Sequence, residues 1–368
     1  MKNYGCRWWM VLVVWAVAST SCYGDFTYQE TTQVTGGSML AMMKMAGAFS
    51  KSARQVGEPM VSTVMVKGNR MVRVGKYQTE IVDLDRGTIT QIDIAKRQYT
   101  VMTFEEMRQR IDAAAAKAKE QQKAGQQPGS DKAQNVDVTY RVQVRSTGAT
   151  KDLSGTSANE SILSMMANGT DKTTGQQGSL AITNDMWLAS DIAGYAEVRD
   201  FYKRYAEKMG MVLSGSNYSS MLASQPGASQ GMAELVKEMS KLKGIPVLQV
   251  MRMGTTTNGQ PLPAASEAPL PAEGPAMPSA GEVAQQSAAS AIASKLGGFG
   301  GLGGFGRKKK PEAAASAPSG EATTAVLMET KTEMSGFSEA AVDAGRFEVP
   351  AGYQQVAMAV GQGIGKRE

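Results

Sequence analysis

The sequence predicts an α+β protein built on an antiparallel sheet, and three observations predict it. Short runs of alternating apolar and polar residues recur from residue 26 onward and are joined by brief polar turns. Three stretches with helical periodicity interrupt those runs. A segment over 257–322, rich in Ala, Pro, Ser and Gly, carries no hydrophobic period, and strand character returns after it.

The first residues, MKNYGCR, carry Lys2 and Arg7 and lead into the apolar run WWMVLVVWAVA (8–18). That is the layout of a secretory signal peptide, and the run is short for a bilayer span. Three readings of its end stand. Cys22-Tyr23-Gly24 suits a cut between Gly24 and Asp25. Ala16-Val17-Ala18 also fits. Ser19-Thr20-Ser21-Cys22 resembles a lipobox with an acylated cysteine, although Ser19 stands where an aliphatic residue is usual. The expectation is an exported protein, periplasmic or extracellular, cut at Gly24/Asp25 with 1–24 as leader, and with Cys22 as the candidate lipid anchor. Under that cut the mature chain has no cysteine, hence no disulfide.

Strands follow. FTYQETTQV (26–34) alternates and ends at Gly36-Gly37. MVSTVMVKGNRMVRVG (60–75) reads as a hairpin turning at Gly68-Asn69, and TEIVDLDRGTITQID (79–93) as another turning at Asp85-Arg86-Gly87. DIAKRQYTVMT (93–103) turns over 95–98, so the series is an antiparallel meander. A helix then opens with Thr103 and Glu106 at capping-box spacing, with Phe104, Met107 and Ile111 on one face. Strands are expected at 136–146, 158–167 and 178–189. A helix over 194–210 places Tyr195, Val198, Phe201, Tyr202, Tyr205 and Met209 on one stripe and stops at Gly210. Another over 231–244 aligns Met232, Leu235, Val236, Met239 and Leu242, with Gly244 and Pro246 ending it. Strands at 247–255 and 323–337 and the closing RFEVPAGYQQVA complete the pattern. Residues 25–256 and 323–356 therefore read as a single β-rich domain. The 257–322 segment is a flexible insertion in it, and 357–368 is a tail.

Composition excludes several chemistries. The chain has no histidine, which removes the commonest general base and metal ligand. Net charge is +5, and loss of Lys2 and Arg7 with the leader lowers it by two, too little for a nucleic-acid footprint. No G-x-S-x-G or Walker-type loop occurs. Asp83, Asp85 and Asp93 sit beside turns and Glu105-Glu106 open a helix, so structural roles account for them. The run Arg307-Lys308-Lys309-Lys310 reads as solvated charge in a linker. No catalytic residue, metal or cofactor is assigned.

Methionine is the strongest compositional signal, with 25 residues, four of them in SMLAMMKMAGAF. Thioether side chains are flexible and polarizable, and they suit both irregular cores and surfaces that accept varied apolar shapes. An all-thioether Cu(I) site, with no histidine to support it, would be weak. Met39, Met42 and Met43, with Trp187, Tyr195 and Phe201 of the strand–helix joint NDMWLASDIAGYAEVRDF, are the candidate lining of an apolar ligand site.

FTYQETTQVTGG, STVMVKGNRMVRV, TEIVDLDRGTITQIDIAKRQYTVMTFEEM, MWLASDIAGYAEVRDFYKRYAEKM and FEVPAGYQQV occur in that order. Together they resemble an uncharacterised family of secreted bacterial proteins, a domain of unknown function. Its strand order and closing F-x-x-P-x-G-Y segment are similar to the periplasmic lipoprotein carriers of the Lol type. The resemblance covers most of 25–256 and 323–356, omits the insertion and brings no catalytic residues. It implies a half-open antiparallel β-barrel of about eleven strands with helices lidding the concave face. The function expected is non-catalytic binding or carriage of a hydrophobic, lipid-type ligand in the cell envelope. The alternative is a structural or interaction module with a filled core, whose flexible 257–322 arm contacts an envelope protein partner.

Overall fold

The computed structural model describes residues 24–46, 57–124, 136–171, 177–214, 228–256, 259–270 and 324–358. The leader with Cys22, the basic run 307–310, most of the 257–322 segment and most of the tail lie outside the described residues.

The chain forms β1 (Asp25–Gly36), α1 (Ser38–Ala46), β2 (Met60–Lys67), β3 (Arg70–Gly75), β4 (Gln78–Asp83), β5 (Thr88–Asp93) and β6 (Gln98–Thr103). Then come α2 (Phe104–Ala124), β7 (Val136–Leu153), β8 (Thr156–Asp171), β9 (Gln177–Ala189), α3 (Ala196–Ser214), α4 (Ala228–Met239) and β10 (Ile245–Thr256). β11 (Thr324–Ser338), a 3₁₀ turn (Ala344–Phe347) and β12 (Gln354–Gln355) finish the described chain. Twelve strands among the described residues join one sheet in the order β12-β6-β5-β4-β3-β2-β1-β11-β10-β9-β8-β7. All pairs are antiparallel except β12 with β6. The end strands β12 and β7 do not pair with each other, so the sheet is not closed into a barrel.

Local chemistry explains the elements. Thr103 and Glu106 cap α2 reciprocally: Glu106 Oε2 accepts from the Thr103 N–H at 2.8 Å, and Thr103 Oγ1 accepts from the Glu106 N–H at 3.0 Å. Asp83 Oδ1 accepts the Asp85 and Arg86 N–H groups, each at 2.9 Å, which folds the β4–β5 turn. Asp93 does the same for Lys96.

Side chains on opposed residues of paired strands share a face, so the register defines two faces. On the first, Phe26, Tyr28, Val64, Val66, Met71, Val82 and Ile89 meet Val198 and Phe201 of α3 and Phe104 of α2. α3 crosses β1 and β2 and rests on α2. Each large apolar side chain removed from water here contributes about 1.5–3 kcal/mol. On the second face, Val72, Ile81 and Ile92 pack against Val342 and Phe347 of the C-terminal segment. Farther along that face Met166, Ala181 and Val326 pack against Leu262. Residues 259–270 thus lie against the sheet as a strap, although they begin the segment expected to be a flexible excursion; Leu262 and Ala264 are buried.

Three boundaries differ from the sequence reading. β7 continues to Leu153, because Ser146–Thr150 is an irregularity in the ladder and not its end. The reversal comes at Ser154-Gly155, both with positive φ, as a two-residue hairpin turn requires. α3 runs through Gly210 to Ser214, since glycine inside a helix costs only about 1 kcal/mol and terminates it only in a left-handed conformation. α4 begins at Ala228 and ends at Met239, before Gly244. It lies on β7 by its small and polar side: a Cβ on Gly231 would sit 2.7 Å from Tyr140 Cγ, and buried Glu238 accepts the Val144 N–H at 3.0 Å. Its apolar stripe turns outward, with Met232, Val236 and Met239 exposed. The helix covers the open edge of the sheet, and edge protection sets its orientation over the usual burial of an apolar stripe.

Candidate functional site

Over β7–β11 the helix-bearing face carries an apolar surface that only strand register reveals. Val142 opposes Met165, Met165 opposes Ile182, Ile182 opposes Met253 and Met253 opposes Met328. One row of apolar side chains therefore crosses five strands. The adjacent row runs Val144, Leu163, Asn184, Met251, Thr330 and Val34. Val142 is buried, Met165, Ile182, Met253 and Met328 are half-buried, and Met251 is 38% exposed. α3 bounds this surface over β1 and β2, and α4 bounds it over β7.

Besides Thr330, a polar pair interrupts this apolar surface. Asn184 Nδ2 donates to Gln249 Oε1 at 3.0 Å. Asn184 Oδ1 is buried and has no hydrogen-bond partner among the described residues. An acceptor held in an apolar surrounding costs free energy until a donor reaches it. Apolar area with a few placed polar groups is the usual composition of small-molecule sites.

The six residues singled out from the sequence occupy two places. Phe201 is fully buried, stacked on Tyr205 at 6.2 Å between ring centroids. Tyr195 meets Phe26 edge-on at 5.8 Å, and Trp187 packs against the same core with Lys151 Nζ 5.6 Å from its ring. Those three share the core beneath α3. Met39, Met42 and Met43 sit on α1, which lies against β1 and β11. Met39 is half-buried, and Met42 and Met43 are exposed. The structure does not bring the methionine set to the aromatic set. Burial and the neighbouring Tyr202 drive the Tyr28 phenol far above its ordinary value, and burial pushes Tyr195 up to about 12. Both phenols are therefore neutral at physiological pH. Arg73 pairs with Glu30 beside them.

The strapped face differs in chemistry. Arg252 is 2% exposed; its Nε donates to Glu329 Oε2 at 2.7 Å, and its Nη1 donates to the carbonyls of Pro263, Ala264 and Ala268 at 3.1, 3.0 and 2.7 Å. Thr35 Oγ1 donates to the other Glu329 oxygen at 2.7 Å. Thr183 Oγ1 donates to Leu262 O at 2.6 Å, and Asp185 Oδ2 accepts the Ser266 N–H at 3.0 Å. A cavity of about 490 Å³ opens between strap and sheet, lined by Gln143, Arg145, Ser164, Leu262 and Glu267 among others. None of the six sequence-selected residues lines it.

Met165, Met251, Met253 and Met328 escaped the sequence reading because they are spread over three strands far apart in the chain. Alternation marks each as facing one side, and only the register aligns them. No family model matches the chain, and no curated protein matches it.

Proposed function

We propose that the protein is a non-catalytic binder or carrier of an apolar, lipid-type ligand in the cell envelope. The ligand lies on the methionine-rich face between α3 and α4, within a sheet curved as a half-open barrel. The observation that carries this reading is the five-strand apolar row from Val142 to Met328 with exposed Met251 beside it. Thioether side chains adapt to varied acyl shapes, and Asn184 Oδ1 supplies an acceptor for a hydroxyl or amide of the ligand's polar end. The leader-like first residues and the resemblance to Lol-type carriers support export and the same ligand class.

The filled core around Phe201 and Val198 favours a second reading, an interaction module without a ligand. One experiment separates the two. Protein purified from the envelope of its native host is weighed by mass spectrometry, first native and then denatured. A lipid-sized adduct in the native spectrum supports the carrier, and a clean apo mass supports the module. The denatured mass reports whether the chain starts at Asp25 or at an acylated Cys22. Met251→Asp places a charge on the apolar face at an exposed position, where the fold tolerates it. It is expected to weaken binding of a fluorescent fatty-acid analogue about tenfold, the effect of about 1.4 kcal/mol. Unchanged binding would remove this face as the site.

A further inference from the structure

We propose that Glu160 and Asp185 form a buried proton-binding site, in which one shared proton fastens the strap to the sheet and its loss at higher pH loosens the strap. The two carboxyls stand on neighbouring strands. Glu160 opposes Trp187 and Asp185 opposes Ile162, so they are diagonal neighbours on the strapped face. Asp185 is 2% exposed and Glu160 is 4% exposed. Each has one oxygen already engaged: Asp185 Oδ2 accepts from Ser266, and Glu160 Oε2 accepts from Thr147 Oγ1. Each also has one buried oxygen, Oδ1 and Oε1, with no partner among the described residues. Diagonal neighbours on one sheet face stand about 7–8 Å apart, a span that long side chains such as glutamate reach across.

The charges around them are already committed. Arg252 on β10 binds Glu329 of β11 and three strap carbonyls. Arg145 on β7 pairs with Glu267 of the strap. Lys151 lies over the Trp187 ring. Arg252 and Arg145 thus have Glu329 and Glu267 as their carboxylate partners. With both carboxyls of the pair ionised, two like charges would be buried without compensation, which proteins avoid by holding a proton. A single proton placed between Oδ1 and Oε1 satisfies both orphaned oxygens at once. It also leaves Asp185 Oδ2 free to accept from Ser266.

The direction of the pH effect follows. Burial raises the Asp185 pKa above its ordinary 3.8; the Ser266 hydrogen bonds oppose that and the charge of Glu160 adds to it. A carboxyl with a raised folded-state pKa contributes stability that is fully present below its unfolded value. That contribution is lost as pH rises through the folded value. The strap is therefore tight in acid and loosens as the solution becomes more basic.

Amide hydrogen exchange on the full chain tests this at Ser266 and Ala264 over pH 4–9, after correction for the intrinsic rate. Protection at Ser266 is expected to fall by up to about tenfold per pH unit as pH rises from the ordinary carboxyl range towards the raised folded-state value, and to level off above it. Infrared difference spectra should show a protonated-carboxyl stretch that disappears over the same range. Glu160→Gln keeps the length of the side chain and supplies a permanent N–H donor, so it should keep the strap protected and flatten the pH profile. Asp185→Asn serves the same purpose if the first variant folds poorly. A flat wild-type profile would overturn the proposal, as would a profile that survives both substitutions. Protection that responds to a chelator or to added calcium would also overturn it, by assigning the pair to a cation.

Discussion

Replacing Arg252 by methionine should destabilise the protein by about 3–5 kcal/mol, the cost of breaking one partner out of a buried ion pair. The magnitude follows from what the guanidinium holds. It is 2% exposed, contacts Glu329 at 2.7 Å and gathers three strap carbonyls within 3.1 Å. Methionine fills similar volume, so the loss is electrostatic and not a cavity. The substitution strands the Glu329 carboxylate with Thr35 as its remaining hydrogen-bond donor. Urea titration followed by tryptophan fluorescence reads the effect. With a slope of about 3 kcal/mol per molar, the midpoint should fall by about 1–1.7 M. Adding Glu329→Met to Arg252→Met should recover part of that loss, because the stranded charge goes with its partner. A single variant that costs less than about 1 kcal/mol would refute the reasoning, as would a double variant no more stable than the single. Either result would mean that water reaches Arg252 and the strap is not its anchor.

Two further outcomes follow from local geometry. Gly231→Leu drives a side chain into Tyr140 and should lift α4 from β7. The Val144 N–H then loses Glu238, and its hydrogen exchange should accelerate at least tenfold, whereas unchanged protection would mean that the helix is held by other contacts. Thr103→Ala removes the acceptor at the start of α2 and should cost about 1 kcal/mol in thermal unfolding. An unchanged melting temperature would show that the Glu106 bond to the residue 103 N–H and the packing of Phe104 hold that helix end without the hydroxyl.

The parts legible in the sequence were the ones whose causes are local. The β2–β3 and β4–β5 turns depend on residues within the turn itself, and the Thr103–Glu106 cap closes over three positions. The aromatic stripe of α3 is a periodic pattern that a helix buries wherever it docks, and Phe201 is accordingly in the core. The α4 stripe shows the limit of that inference. Met232, Val236 and Met239 define one face, but periodicity states only that a face exists. The open edge of β7, with the Val144 N–H needing an acceptor, turned Glu238 and Gly231 inward.

The amino-acid sequence by itself determined an antiparallel meander with interrupting helices, because alternation, caps and turn residues act over a few positions. Tertiary structure alone decided which distant residues meet. The alignment of Met165, Met253 and Met328 into one row is a property of register between neighbouring strands whose paired residues, such as Met253 and Met328, lie far apart in the chain, a long-range pairing that no local pattern encodes. The meeting of Glu160 with Asp185, and of Arg252 with a strap drawn from a Pro- and Ala-rich stretch, rests on the same cause. Burying a charge makes its partners obligatory, and those partners are supplied by whichever segments the sheet brings within reach.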